Sequence, residues 1–154
     1  MCSYCGCRSI GPIGDLSREH TQIQNLCGEV RRATDRGEHE RAVAHLAELA
    51  VLLERHDSVE ELSLYPAMAR QPEYREKVGV LFDEHDDVDS IVATALATAR
   101  ERGAAEVEWA PVLGAFGTLV EHIQHEENGL FPAAAIALDP ADWEHAERVR
   151  RQAG

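Results

Sequence analysis

The sequence predicts an all-α protein: an up-down-up-down four-helix bundle with a short C-terminal helix and a Cys-rich N-terminal tail. Three observations carry this expectation. Apolar residues recur at helical spacing over four long stretches separated by short breaks marked by Gly or Pro. No stretch has a strand's period-two alternation of any strength. The chain also repeats itself: HDSVEELSLYPA from His56 returns as HIQHEENGLFPA from His122 at an offset of 66. Leu16, Glu19, His20 and Ile23 return as Leu81, Glu84, His85 and Val88 at an offset of 65. A helical hairpin that recurs in this way predicts a pseudo-two-fold bundle.

The elements follow in order. Gly11-Pro12-Ile13-Gly14 separates the tail from the first helix, which Asp15 or Ser17 can cap. Its inner stripe is Leu16, His20, Ile23, Cys27 and Val30, up to Gly37. The second helix runs from about Glu38 to Met68 with Leu46, Leu49, Leu53, His56, Glu60 and Leu64 inward, and Pro66 and Pro72 bracket its end. The third runs from about Tyr74 to Arg102 with Val78, Leu81, His85, Val88, Val92 and Ala95 inward. The fourth opens around Pro111 and carries Phe116, Leu119, His122, Glu126 and Leu130 towards Pro132. In DPADWEHAERVRRQ, Asp139 caps a short helix and Pro140 sits in its first turn. The expected division is a tail at 1–14, the bundle at 15–137 and the C-terminal helix at 138–154.

A chain of 154 residues fits one domain with a single core. Its 28 Asp and Glu against 15 Lys and Arg leave a net charge of −13. That charge repels a phosphate backbone, so neither nucleic acid nor an anionic membrane is an expected partner. No apolar run approaches the roughly 20 residues of a membrane span, and MCSYCGCRS lacks the basic-then-apolar pattern of a signal. Three of the four cysteines fall in the first seven residues, unlike a disulfide scaffold spread along the chain. A reducing, cytoplasmic setting is expected.

Four of the eight histidines, His20, His56, His85 and His122, stand in apolar stripes where Leu is usual. Glu60 and Glu126 follow His56 and His122 by four residues, one turn along the same helical face. At 1.5 Å per residue, His20 lies roughly 25 Å before the first turn and His56 roughly 28 Å beyond it. His85 lies roughly 27 Å before Gly103 and His122 about 17 Å past Pro111, so Ala104 to Ala110 has to cover the difference. Antiparallel helices then bring four imidazoles and two carboxylates to one level. Any one of these histidines fits a satisfied core position. All six groups together in a dry core cost many kcal/mol unless cations neutralise them. Four nitrogens and two carboxylates suit two first-row metals, each with two imidazoles, bridged by Glu60 and Glu126.

Around this set, Glu61 and Glu127 follow the two carboxylates and either reach a histidine Nδ1–H or face solvent. Asp89, one turn beyond His85, is either a weak ligand or acceptor or a bystander. Tyr65 and Phe131 occupy equivalent positions that favour packing, although a tyrosine hydroxyl there can donate a proton or an electron. His125 is placed to edge towards the core. Glu19 and Glu84 are expected on solvated faces, and His39, His45 and His145 at the surface. Cys2, Cys5 and Cys7 have the spacing of a thiol or metal site but do not complete a tetrahedral set. Cys27 or a histidine completes it only if the tail folds back across the first helix; otherwise the tail is a flexible, thiol-rich segment. Signatures of nucleotide binding and acyl transfer are absent.

The four histidines, the pairs HDSVE and HIQHE, and the ends LYPA and LFPA resemble the hemerythrin-like, or HHE cation-binding, family over about Asp15 to Ala135. The resemblance implies a non-haem di-iron centre: two Fe ions with a bridging oxo, hydroxo or water, held by His20, His56, Glu60, His85, His122 and Glu126. Oxygen-carrying members have a further histidine where this chain has Asp89, and a carboxylate five residues after the fourth-helix histidine, where this chain has Glu126 at plus four and Glu127 at plus five. The pattern is therefore the His, HxxxE, His, HxxxE variant. It implies a protein that binds and reduces or turns over a small diatomic or peroxide ligand, with nitric oxide and hydrogen peroxide ahead of dioxygen, using an electron donor the sequence does not identify. If it is an enzyme, it is a di-iron oxidoreductase of peroxidase or nitric-oxide-consuming type. The alternative is a non-enzymatic iron or oxygen sensor or an iron reservoir.

Overall fold

The computed structural model describes residues 6–154; Cys2 and Cys5 of the predicted thiol site lie outside them. After a 3-10 turn at Cys7–Ser9 come α1 (Gly11–Asp35), α2 (His39–Val59), α3 (Tyr65–Ala69), α4 (Pro72–Arg102), α5 (Trp109–His125), α6 (Phe131–Ala137) and α7 (Pro140–Ala153). Single π-helical turns at Glu60–Leu64 and Glu126–Leu130 join α2 to α3 and α5 to α6. There is no strand among the described residues. The chain is an all-helical bundle: α1 packs on α2, α4 on α5, α2 on α4 and α1 on α5. Gly37, at φ 70°, turns the chain between α1 and α2 in a conformation that favours glycine.

The core comes in two apolar layers. One gathers Ile23, Val30, Leu46, Leu49, Leu53, Val88, Val92, Val112, Phe116 and Leu119. The other gathers Ile13, Leu16, Val59, Leu64, Tyr65, Met68, Val78, Leu81, Leu130 and Phe131. On all four long helices the buried histidine falls between these layers, so apolar side chains close off a polar layer on both sides. Each fully buried Leu or Ile contributes about 1.5–3 kcal/mol, which offsets the desolvation of the polar layer.

Two boundaries differ from the sequence expectation, at the start of the first helix and beyond Pro132, while the second helix runs past Pro66 as expected. α1 starts at Gly11, with Pro12 in its first turn, where a missing N–H is harmless. Gly14 lies within this helix, and a Cβ there would stand 2.7 Å from the Arg8 carbonyl oxygen, so the close approach requires glycine. Pro66 and Pro132 do not end their helices. A proline removes one N–H and its ring crowds the carbonyl four residues earlier. Both helices widen instead into a π turn, with Tyr65 N–H donating to the Glu60 carbonyl and Phe131 N–H to the Glu126 carbonyl, and then continue.

The segment after α4 forms a 3-10 turn at Ala104–Glu106 before α5 begins at Trp109. α7 opens with a capping box between Asp139 and Asp142, as expected for the Asp-Pro start. It packs on α2, α1 and the Glu60–Leu64 turn. His145 Nε2 donates to the Leu62 carbonyl at 3.0 Å. Pro66, four residues on, has no N–H to offer that carbonyl.

Candidate metal centre

The two π turns begin at Glu60 and Glu126, the two carboxylates of the sequence pattern. Each lies within a turn of its helix's histidine: His56 Nε2 is 3.1 Å from Glu60 Oε1, and His122 Nε2 is 3.0 Å from Glu126 Oε1. Each also faces the other hairpin. Glu60 Oε2 is 3.2 Å from His85 Nε2, and Glu126 Oε1 is 3.3 Å from His20 Nε2. Ligand atoms of His20, His56, Glu60 and Glu126 lie within 4.8 Å of one another, as do those of Glu60, His85 and His122. Glu60 belongs to both groups, and no one of the six residues is more than 3% exposed.

The donor set fits cations. His20 Nε2, Glu60 Oε1 and Glu126 Oε1 are buried without a hydrogen-bond partner. An orphaned buried polar atom costs about 1–3 kcal/mol, more if charged, and a metal ion bound here would satisfy all three together. In the chain alone, the imidazoles stand in for it. Burial opposes their charging, yet the neighbouring carboxylates outweigh it and raise the pKa of His20, His56 and His122, and of His85 to about 10. Burial likewise opposes ionisation of Glu60, but His56 and His85 hold it well below the usual carboxylate range.

The outer nitrogens each face one of four more glutamates, and three of the four are held by a hydrogen bond. His20 Nδ1–H donates to Glu127 at 2.7 Å, His85 to Glu61 at 2.8 Å and His122 to Glu84 at 2.7 Å. His56 Nδ1 faces Glu19 at 3.5 Å. Such contacts fix the tautomer and aim Nε2 inward. Glu61 and Glu127 therefore take the first of their two expected roles. The solvated faces expected for Glu19 and Glu84 are incorrect. Each points away from the histidine beside it in sequence, but into the neighbouring helix, where it meets that helix's histidine.

Asp89 is exposed and makes no hydrogen bond or ion pair among the described residues. The carboxylate beside His85 is Asp57, buried, with Oδ1 3.4 Å from His85 Nε2 and a pKa pushed by burial up to about 7. Sequence reasoning missed Asp57 because its counterpart in the repeat is Ile123. His125 is exposed and does not enter the core. Tyr65 does more than pack: its hydroxyl donates to Glu126 Oε2 at 2.9 Å and lies 3.2 Å from Glu60 Oε2. His39 and His45 are half-buried, and His145 is at the surface. Cys27 cannot join Cys7. It is buried in the layer beyond the centre, its thiol pushed by burial up to about 12, whereas Cys7 packs in the opposite layer. The rigid rise of α1 separates them by roughly 24 Å.

A helical bundle that turns four imidazoles and two carboxylates into its own core presents a donor set suited to metal ions. The family model of the hemerythrin HHE cation binding domain matches residues 11–134, and the chain belongs to that family. The match begins where α1 begins and ends before α7. No curated protein and no solved structure matches the chain. Among the described residues, no helix is long and apolar enough to cross a membrane.

Proposed function

We propose that this is a cytoplasmic, non-haem di-iron protein that binds and reduces a small oxidant: nitric oxide, hydrogen peroxide or dioxygen. The observation that carries this reading is that Glu60 and Glu126 each face histidines of both hairpins, as carboxylates shared by two cations do. His20 and His56 hold one cation and His85 and His122 the other, in an up-down-up-down bundle. When bound, two iron ions supply electrons and open positions for the oxidant. The chain supplies the rest. Glu61, Glu84 and Glu127 orient the imidazoles, the two apolar layers keep out bulk water, and the Tyr65 hydroxyl holds a proton 2.9 Å from Glu126.

A second reading, an iron or oxygen sensor or an iron reservoir, draws on the burial of six ionisable groups, which ties folding to metal loading. Anaerobic stopped-flow mixing of the reduced, iron-loaded protein with each oxidant separates the two. Rapid consumption, repeated when reductant is supplied, is expected. Metal-dependent folding without turnover would transfer the assignment to sensing or storage.

A further inference from the structure

Three of the four histidine–glutamate contacts are short hydrogen bonds of 2.7–2.8 Å. The fourth is different: His56 Nδ1 is 3.5 Å from Glu19 and has no hydrogen-bond partner. Glu19 is engaged elsewhere. Its Oε1 accepts from Arg150 at 2.8 Å, and its Oε2 accepts from Arg55 Nε and a terminal nitrogen at 3.3 and 3.2 Å.

The repeat supplies an internal control. Glu84, the counterpart of Glu19, pairs with no arginine among the described residues and meets His122 at 2.7 Å. The counterpart of Arg55 is Glu121, and Arg150 lies on α7, which the repeat lacks and the family match does not reach. α7 is tied down by Arg70 to Asp142 at 2.7 Å and by His145 to the Leu62 carbonyl, so Arg150 is presented from an anchored helix.

A carboxylate that accepts strongly from Nδ1–H makes an imidazole a better electron donor at Nε2. One already engaged by two guanidinium groups accepts weakly, so His56 is the least supported of the four. On the other side, His85 and His122 are both tightly backed, and Asp57 adds a further carboxylate. We propose that Arg150, acting through Glu19, is a positioning residue that weakens the support of His56 and makes the two metal positions electronically unequal, the His20–His56 position being the more easily reduced. This rests on the two-metal reading.

The test is Arg150→Gln, with Arg150→Lys as the charge-retaining control. In protein labelled with ¹⁵N-histidine, metal-free and zinc-loaded, the His56 ring N–H is expected upfield of the other three. It should move downfield in Arg150→Gln as Glu19 is released to it, and stay near its original position in Arg150→Lys. In iron-loaded protein, the first reduction potential should fall in Arg150→Gln and the two one-electron steps should draw together. A His56 signal that does not move, or unchanged potentials in a variant holding two irons, overturns the proposal. Failure to bind two irons would instead overturn the functional reading, while the ring signals still decide what Arg150 does to His56.

Discussion

Tyr65 and Phe131 stand at equivalent positions of the two repeats, yet they meet the centre in different ways. The Tyr65 hydroxyl donates to Glu126 at 2.9 Å, whereas the Phe131 ring stacks on His20, with centroids 5.4 Å apart and planes 2° from parallel. Asp57 and Ile123 break the repeat in the same sense. Both polar members lie towards His85 and His122, so a centre built on two-fold symmetry has one polar flank and one apolar flank.

Tyr65→Phe removes the donor to Glu126 and makes the two repeats alike at this position. Leaving a buried carboxylate oxygen without its donor should lower the stability of the metal-free protein by about 1–3 kcal/mol. Urea unfolding of the chelator-treated protein measures this, and an unchanged midpoint would remove the hydroxyl from the account.

The inner and outer glutamates should separate on substitution. On the two-metal reading, Glu60→Ala or Glu126→Ala removes a shared carboxylate and should abolish the two-metal stoichiometry. Glu61→Ala or Glu127→Ala removes only the support of His85 or His20 and should weaken metal binding about 10–100-fold with the stoichiometry retained. Metal content after dialysis against a graded chelator reads both, and equal loss in all four variants would contradict the division into inner and outer glutamates.

Asp57 predicts a pH dependence. Its pKa rises from an ordinary 3.8 to about 7 in the folded chain, so between these values the folded state holds a proton that the unfolded state has released. Its contribution to stability therefore falls as pH rises from about 4 through 7 and is level above that. Metal-free Asp57→Asn should lack this slope, so its stability relative to the parent should rise across that window. Unfolding curves at several pH values decide it, and parallel profiles for the parent and Asp57→Asn would show that Asp57 does not carry a buried proton.

The buried polar cluster was legible because it repeats: a polar residue kept in an apolar stripe at two places 65 or 66 residues apart needs a shared reason. Glu19 and Glu84 repeat as well, but their direction was not legible. A residue one position before an inward histidine lies about 100° round the helix, and only the packing of the next helix makes that direction a contact instead of a solvated face. Asp57 left no trace because it departs from the repeat, and Arg150 none because it reaches Glu19 across 131 residues of chain. Pro66 and Pro132 are stop signals by local chemistry. Tertiary packing overrode them by widening each helix into the π turn that begins at the centre's own glutamate.

The proposed function requires these six residues to hold two metal ions per chain. Elemental analysis of protein produced in iron-replete cells and purified gently without chelators tests it most directly. Close to two iron atoms per chain are expected, falling when either Glu60 or Glu126 is replaced. A reproducible value near one, or near zero, would contradict it.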